Sequence, residues 1–194
     1  MGMLLLGLVL FLGVHSVRVF AEGWRTAAVA RWGAGPFKGA YSLLSVAGLL
    51  LIIWGYGAAR TSPVVLWSPP VATQHIAALL TWVAFVFLAA AYVPRNALRA
   101  KLRHPMVLGV KVWAFAHLLA NGTLADVLLF GSFLVWAVLS FRAARQRDRL
   151  AGATERPASS AAGTAAAVVA GTAAWAFFAL WAHGAWIGVR PFGV

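Results

Sequence analysis

Five histidines, at positions 15, 75, 104, 117 and 183, lie in or beside long apolar runs of this chain. Ionisable side chains inside a membrane are costly to keep, so each is a functional candidate by default. Other chemistries lack the residues they need. There is no cysteine, which excludes disulfides, thiolate metal sites, iron–sulfur clusters and cysteine nucleophiles. Asp126 is the one acid close to an apolar run, and its place near a helix start suits capping. Paired-carboxylate catalysis is therefore unsupported, a zinc hydrolase lacks its H-E-x-x-H, and no local Ser/His/Asp signature occurs. Histidine ligation remains. Haem suits a bundle of apolar helices because it is flat, largely hydrophobic and held by axial histidine. Gly7, Phe11 and His15 recur at i, i+4, i+8, as do Gly109, Trp113 and His117. That spacing puts each set on one helix face. The glycine would leave room for a macrocycle, the aromatic would stack on it, and the histidine would reach iron. The same spacing also suits histidines hydrogen-bonded between helices.

Depth leaves a second arrangement open. At about 1.5 Å per residue, His15 lies roughly 8 Å from the inner end of its helix and His117 roughly 18 Å. His75, His117 and His183 instead share the outer third, so a site built from those three competes. Arg103-His104-Pro105 precedes Gly109, and proline is natural at a helix start. His104 there suits an anion, a lipid phosphate or a propionate, or is a solvated helix start. Arg18 follows His15 by one turn. It is either a snorkelling anchor or the counter-ion of a carboxylate such as a propionate.

These residues need elements to hold them. The composition is 62% hydrophobic and 10% charged, with mean hydropathy +0.85. Soluble domains run nearer about 45–50% and about 25%, so a water-soluble protein is excluded. Six runs are candidate membrane spans: 3–20, 39–58, 73–93, 106–120, 123–141 and 164–187. Asn121-Gly122 predicts a tight antiparallel hairpin between the fourth and fifth. The first run lacks a basic leader and an A-x-A-like cleavage site, and reads as a retained helix.

Lys and Arg total 16 against 4 acids. In a soluble protein that would suggest nucleic acid; between apolar runs it marks a cytoplasmic membrane face, so no nucleic-acid partner is expected. The basic residues cluster after the first span (Arg25, Arg31, Lys38), the third (Arg95, Arg99, Lys101, Arg103) and the fifth (Arg142, Arg145, Arg147, Arg149, Arg156). The opposite side holds Arg60 and Arg190. This predicts a bacterial inner (cytoplasmic) membrane protein with both termini outside. Residues 22–32 read as an interfacial helix or as a loop with aromatic anchors, and 142–163 as a flexible basic cytoplasmic linker. Gly35 and Gly39 permit close helix packing, within or between chains.

Four stretches carry a family resemblance: LFLGVHSVRVFAEGWR, PFKGAYSLLSVAGLLLIIWGYGAAR, RHPMVLGVKVWAFAHLLANGTLADVLLFGSF and HGAWIGVRPFG. Together they resemble the NnrU family of bacterial membrane proteins, nearly end to end. NnrU proteins are similar to the zeta-carotene isomerase of plants and cyanobacteria, a membrane protein with b-type haem that isomerises a cis double bond. The resemblance implies haem ligands at His15, in its H-S segment, and at His117, in the helix after R-H-P. The isomerase also uses a cysteine near the second histidine in a redox-dependent ligand change. The matching position here is Ala114, so that change cannot operate unaltered. The NnrU resemblance further implies a link to denitrification and nitric oxide metabolism. R-H-P with a downstream glycine is also similar to small membrane methyltransferases related to isoprenylcysteine carboxyl methyltransferase, though Asp126, Asp148 and Glu155 are the sole acids after Gly109.

The expectation is an all-α polytopic membrane helical bundle of about six transmembrane helices, one domain over 1–194, both termini periplasmic. It would hold haem b through iron on His15 and His117. Phe11 and Trp113 would line the pocket, Gly109 would make room, and Arg18, Arg103 or His104 would face propionates. Three functions stay open: a redox-gated isomerase of an isoprenoid or polyene, a non-catalytic haem or nitric-oxide-responsive factor, or an assembly partner of a membrane complex. Membrane lipid is the common surrounding in all three.

Overall fold

The computed structural model describes residues 1–153 and 157–192. Arg156 of the basic linker, Glu155 and the last glycine of HGAWIGVRPFG lie outside the described residues. Eight α-helices follow in order among those described: α1 Gly2–Phe20, α2 Glu22–Trp32, α3 Ala34–Ala59, α4 Val71–Tyr92, α5 Ala97–Leu102, α6 Pro105–Ala120, α7 Leu124–Leu150 and α8 Ala161–Phe177. The last runs on as a π-helical segment, Phe178–Ile187. Five helices, α1, α3, α4, α7 and α8 with its π-helical end, are long and apolar enough to cross a membrane. The sixth expected span is the shorter apolar helix α6. This is a multi-pass membrane protein, and its helices expose Leu43, Val46, Leu50, Ile53 and Trp54 along α3 as lipid-facing surface.

Several boundaries differ from expectation. α3 starts at Ala34, ahead of the predicted 39, because Gly33 breaks the chain at φ 86° and Pro36 falls in the first turn, where no amide donor is needed. Residues 22–32 are helical. The expected flexible linker 142–163 is shorter than predicted: α7 continues to Leu150 through Arg, Ala and Gln, all strong helix formers, and α8 begins at Ala161. Asn121, Gly122 and Thr123 join α6 to α7.

The chain divides into two compact units, Met1–Trp67 with Gly122–Ala143, and Ser68–Asn121 with Ala144–Val194. In the first, α1 and α3 touch backbone to backbone through glycines. A Cβ on Gly7 would fall 2.6 Å from the Ile52 nitrogen, and one on Gly48 2.7 Å from the Phe11 nitrogen. A Cβ on Gly55 would strike the Leu4 nitrogen. Small residues allow such close approach where lipid supplies no hydrophobic drive between helices. Gly35 and Gly39, by contrast, face open space. The segment after α3 pairs with the start of α7: Val65 bridges Thr123, and the Leu124 amide donates to the Val64 carbonyl at 2.9 Å. Asp126, 5% exposed, accepts from the Thr123 amide (2.9 Å), the Thr123 hydroxyl (2.6 Å) and the Tyr56 hydroxyl (2.5 Å). The predicted capping role of Asp126 holds, with an added tie to α3.

In the second unit, α4 packs against α6 and α8. Two tryptophan–threonine pairs link α4 to α8: Trp82 Nε1 donates to Thr172 Oγ1 (2.9 Å) and Trp175 Nε1 to Thr81 Oγ1 (3.2 Å). Asn96, 1% exposed, caps α5 by accepting from the Arg99 amide and donates to the carbonyls of Ala90 and Val93. Ser160 caps α8 and anchors it to the Arg95 carbonyl at 2.8 Å.

Candidate functional site

His15 and His117 share one local geometry, each in its own unit. His15 Nδ1 meets the Phe11 carbonyl at 2.6 Å, and His117 Nδ1 meets the Trp113 carbonyl at 2.9 Å. A carbonyl oxygen can only accept, so Nδ1 carries the proton in both and donates it. The imidazole lone pair is then on Nε2, which is the usual state of a metal-binding histidine oriented by a backbone carbonyl. The i−4 partners are the aromatics singled out in the sequence. Phe11 stacks on His15 at 4.2 Å between ring centroids, and Trp113 lies tilted to His117 at 5.1 Å.

The glycines of the two triads serve another purpose than the one expected. Gly7 faces the α3 backbone. A Cβ on Gly109 would sit 3.0 Å from the Ala84 carbonyl and 3.2 Å from the Leu88 side chain, both on α4. Neither glycine opens onto space for a macrocycle; both are helix-packing contacts. A glycine one turn from an aromatic serves either purpose, so the sequence could not separate them.

Around His15 stand two residues that sequence reasoning missed. Tyr41 lies at 5.1 Å and Trp136 edge-on at 6.1 Å between ring centroids. Trp136 and Ser140 share one face of α7, four residues apart. The Trp136 indole nitrogen and the Ser140 hydroxyl are buried with no hydrogen-bond partner among the described residues. A buried unsatisfied donor calls for a physical reason, such as a bound group or water.

His117 lines a cleft of about 160 Å³ in the second unit. Phe85, Trp113, Trp175 and Phe178 supply apolar walls, and Gln74, Asn121, His183 and Arg190 bring polar groups. Of the alternative trio, His117 and His183 meet there, whereas His75 is exposed on α4 and does not line the cleft. His183 Nδ1 donates to the Val189 carbonyl at 2.6 Å.

The basic residues proposed for propionates are already engaged. His104 Nε2 lies 3.0 Å from Asp148, with Arg103 at 3.7 Å and Arg145 at 3.6 Å from the same carboxylate. Arg103 also donates to the Ala153 carbonyl, and holds a positive φ of 62° at the α5–α6 corner. The anion facing His104 is therefore the protein's own. Asp148 sits 44 residues further along the chain, too far for sequence spacing to reveal. Arg18 is exposed and lies 3.7 Å from Glu22, which also takes the Arg25 guanidinium at 2.8 Å. That hydrogen bond to Glu22 raises the pKa of Arg25 above its ordinary value.

Residues 3–191 match the family described as NnrU protein. The chain belongs to the NnrU family. The match spans nearly the whole chain and contains both locked histidines, the R-H-P corner and the π-helical end. No curated protein and no solved structure matches the chain.

Proposed function

We propose that this NnrU protein is an integral membrane b-type haem protein of nitric oxide or nitrite metabolism, in which His15 and His117 would hold the haem iron. The observation that carries the reading is the carbonyl lock on both imidazoles. It fixes the proton on Nδ1 and orients Nε2 before any metal arrives, so little ordering entropy is lost on binding. Bound haem would supply an iron that takes a diatomic ligand where one of the two histidines is displaced. The chain's own residues do the rest. Phe11 and Trp113 hold the imidazole planes. The Trp136 indole N–H, edge-on to His15, offers a hydrogen bond to an acceptor atom there. Arg18, beside Glu22, and Arg103, beside Asp148, are the cations that a propionate would draw on. The basic clusters at α2, α5 and the end of α7 support a cytoplasmic position for those ends, with both termini outside.

An isomerase of a long polyene is less well supported. Fully buried Ala114 offers no thiol for a ligand change. Methyl transfer is weaker still, because Asp126 serves a cap and Asp148 a clamp.

The test is ligand identity. His15→Ala and His117→Ala, purified in detergent, are expected to lose haem or shift its Soret band to a one-histidine form, while His75→Ala and His183→Ala keep the native spectrum. Nitric oxide is expected to shift the native spectrum at low concentration. Unchanged spectra in the first two variants would overturn the ligand assignment.

A further inference from the structure

The cleft of the second unit has a shape and polarity that haem ligation does not explain. Its volume, about 160 Å³, matches a single six-membered ring, since an apolar cavity of about 150 Å³ holds benzene. Its walls include the aromatic side chains of Trp113, Trp175, Phe85 and Phe178, against which such a ring can pack. Its polar groups gather where α4 begins, α6 ends and the π-helical segment ends. Arg190 can only donate, and the Gln74 amide can donate too. His183, with Nδ1 committed to the Val189 carbonyl, presents Nε2 as an acceptor. One cleft therefore offers both donors and an acceptor beside an apolar ring-sized space.

The π-helical segment is what brings His183 there. In an α-helix, Phe178 and His183 would point roughly 140° apart, from 3.6 residues per turn. With π-type i→i+5 bonding they fall on one face. Their rings meet edge-on at 5.8 Å, and both line the cleft. Gly184 leaves room for the Arg190 stem, whose Cγ would lie 3.3 Å from a Cβ at that position. π-Helical insertions often mark functional sites, and here the insertion supplies two of the polar and apolar contacts at once.

We infer that this cleft binds the ring of a membrane quinone, in oxidised and reduced form, with the apolar tail left in lipid. Arg190 and Gln74 donate to the carbonyl oxygen of the quinone, and His183 Nε2 accepts from the hydroxyl of the quinol. A carboxylate would leave the imidazole acceptor unused, and a hydrocarbon would leave Arg190 unused. His15 does not line this cleft but His117 does, so quinone affinity and the haem spectrum are read side by side on each variant.

The full chain in lipid nanodiscs is titrated with decylubiquinone and decylubiquinol, and with decylbenzene as a tail-matched probe without oxygens. Saturable binding of both oxygenated probes is expected, with decylbenzene merely partitioning. Arg190→Gln is expected to weaken decylubiquinone about tenfold or more, as loss of a charge-assisted hydrogen bond does. His183→Phe is expected to weaken decylubiquinol more than decylubiquinone. Ala78→Phe, which fills the cleft, is expected to abolish both. Thermal unfolding of each variant checks that the fold survives, and its haem spectrum shows whether haem binding is separate. Equal binding of decylbenzene, affinities unmoved by the three folded variants, or preferential binding of benzoate would each overturn the site.

Discussion

The imidazoles of His15 and His117 are fixed by the backbone of their own helices, so their orientation is a local property. Their i−4 aromatic partners were legible in the sequence because helical periodicity alone places them. Asp126 was legible for the same reason: Thr123 and Asp126 form a cap within one turn. Its bond to Tyr56, 70 residues away, was not. Asp126→Asn turns an acceptor toward three donors with an amide that can satisfy fewer of them. It is expected to destabilise the protein by about 1–3 kcal/mol, read as earlier thermal unfolding in detergent. An unchanged midpoint would mean that these bonds add nothing beyond what solvent or lipid offers.

Glycine positions tell a different story at the scale of helices. The sequence shows Gly7 and Gly109 in equivalent places and suggests one shared use. Each in fact admits a neighbouring helix, and the partner backbone that fills the space comes from far along the chain, beyond what periodicity reports. The same limit hid the Trp82–Thr172 and Trp175–Thr81 pairs and the π-helical register of His183, since every residue there is compatible with a plain α-helix. Gly55→Leu would force its side chain into the Leu4 backbone of α1. Overpacking of this kind costs typically about 1–3 kcal/mol, and more where the obstacle is backbone. The variant is expected to lose the α1–α3 contact and unfold earlier, whereas Gly39→Leu, which faces open space, is expected to behave like the wild type. Equal tolerance at both positions would contradict the packing described for the first unit.

For the molecule as a whole, apolar run length located the spans, and α6 alone falls short of the others. At 16 residues it reaches roughly 24 Å at about 1.5 Å per residue, less than a hydrocarbon core of roughly 30 Å. The basic clusters lie at the ends where α2, α5 and the charged end of α7 stand. The lack of any native cysteine makes the topology directly testable. Single cysteines replacing the exposed Lys101 and Gln146 are expected to resist a membrane-impermeant maleimide in intact cells, while one at Ser62 is labelled. The opposite pattern would invert the topology. The central claim, that two backbone-locked histidines hold b-type haem, is tested most directly by an optical spectrum of the detergent-purified protein, oxidised and dithionite-reduced, with pyridine haemochrome quantitation. A sharp Soret band and b-type reduced bands at close to one haem per chain are the expected result. A featureless spectrum from protein expressed with ample haem would contradict it, and the two imidazoles would then be packing groups tied to their own helices.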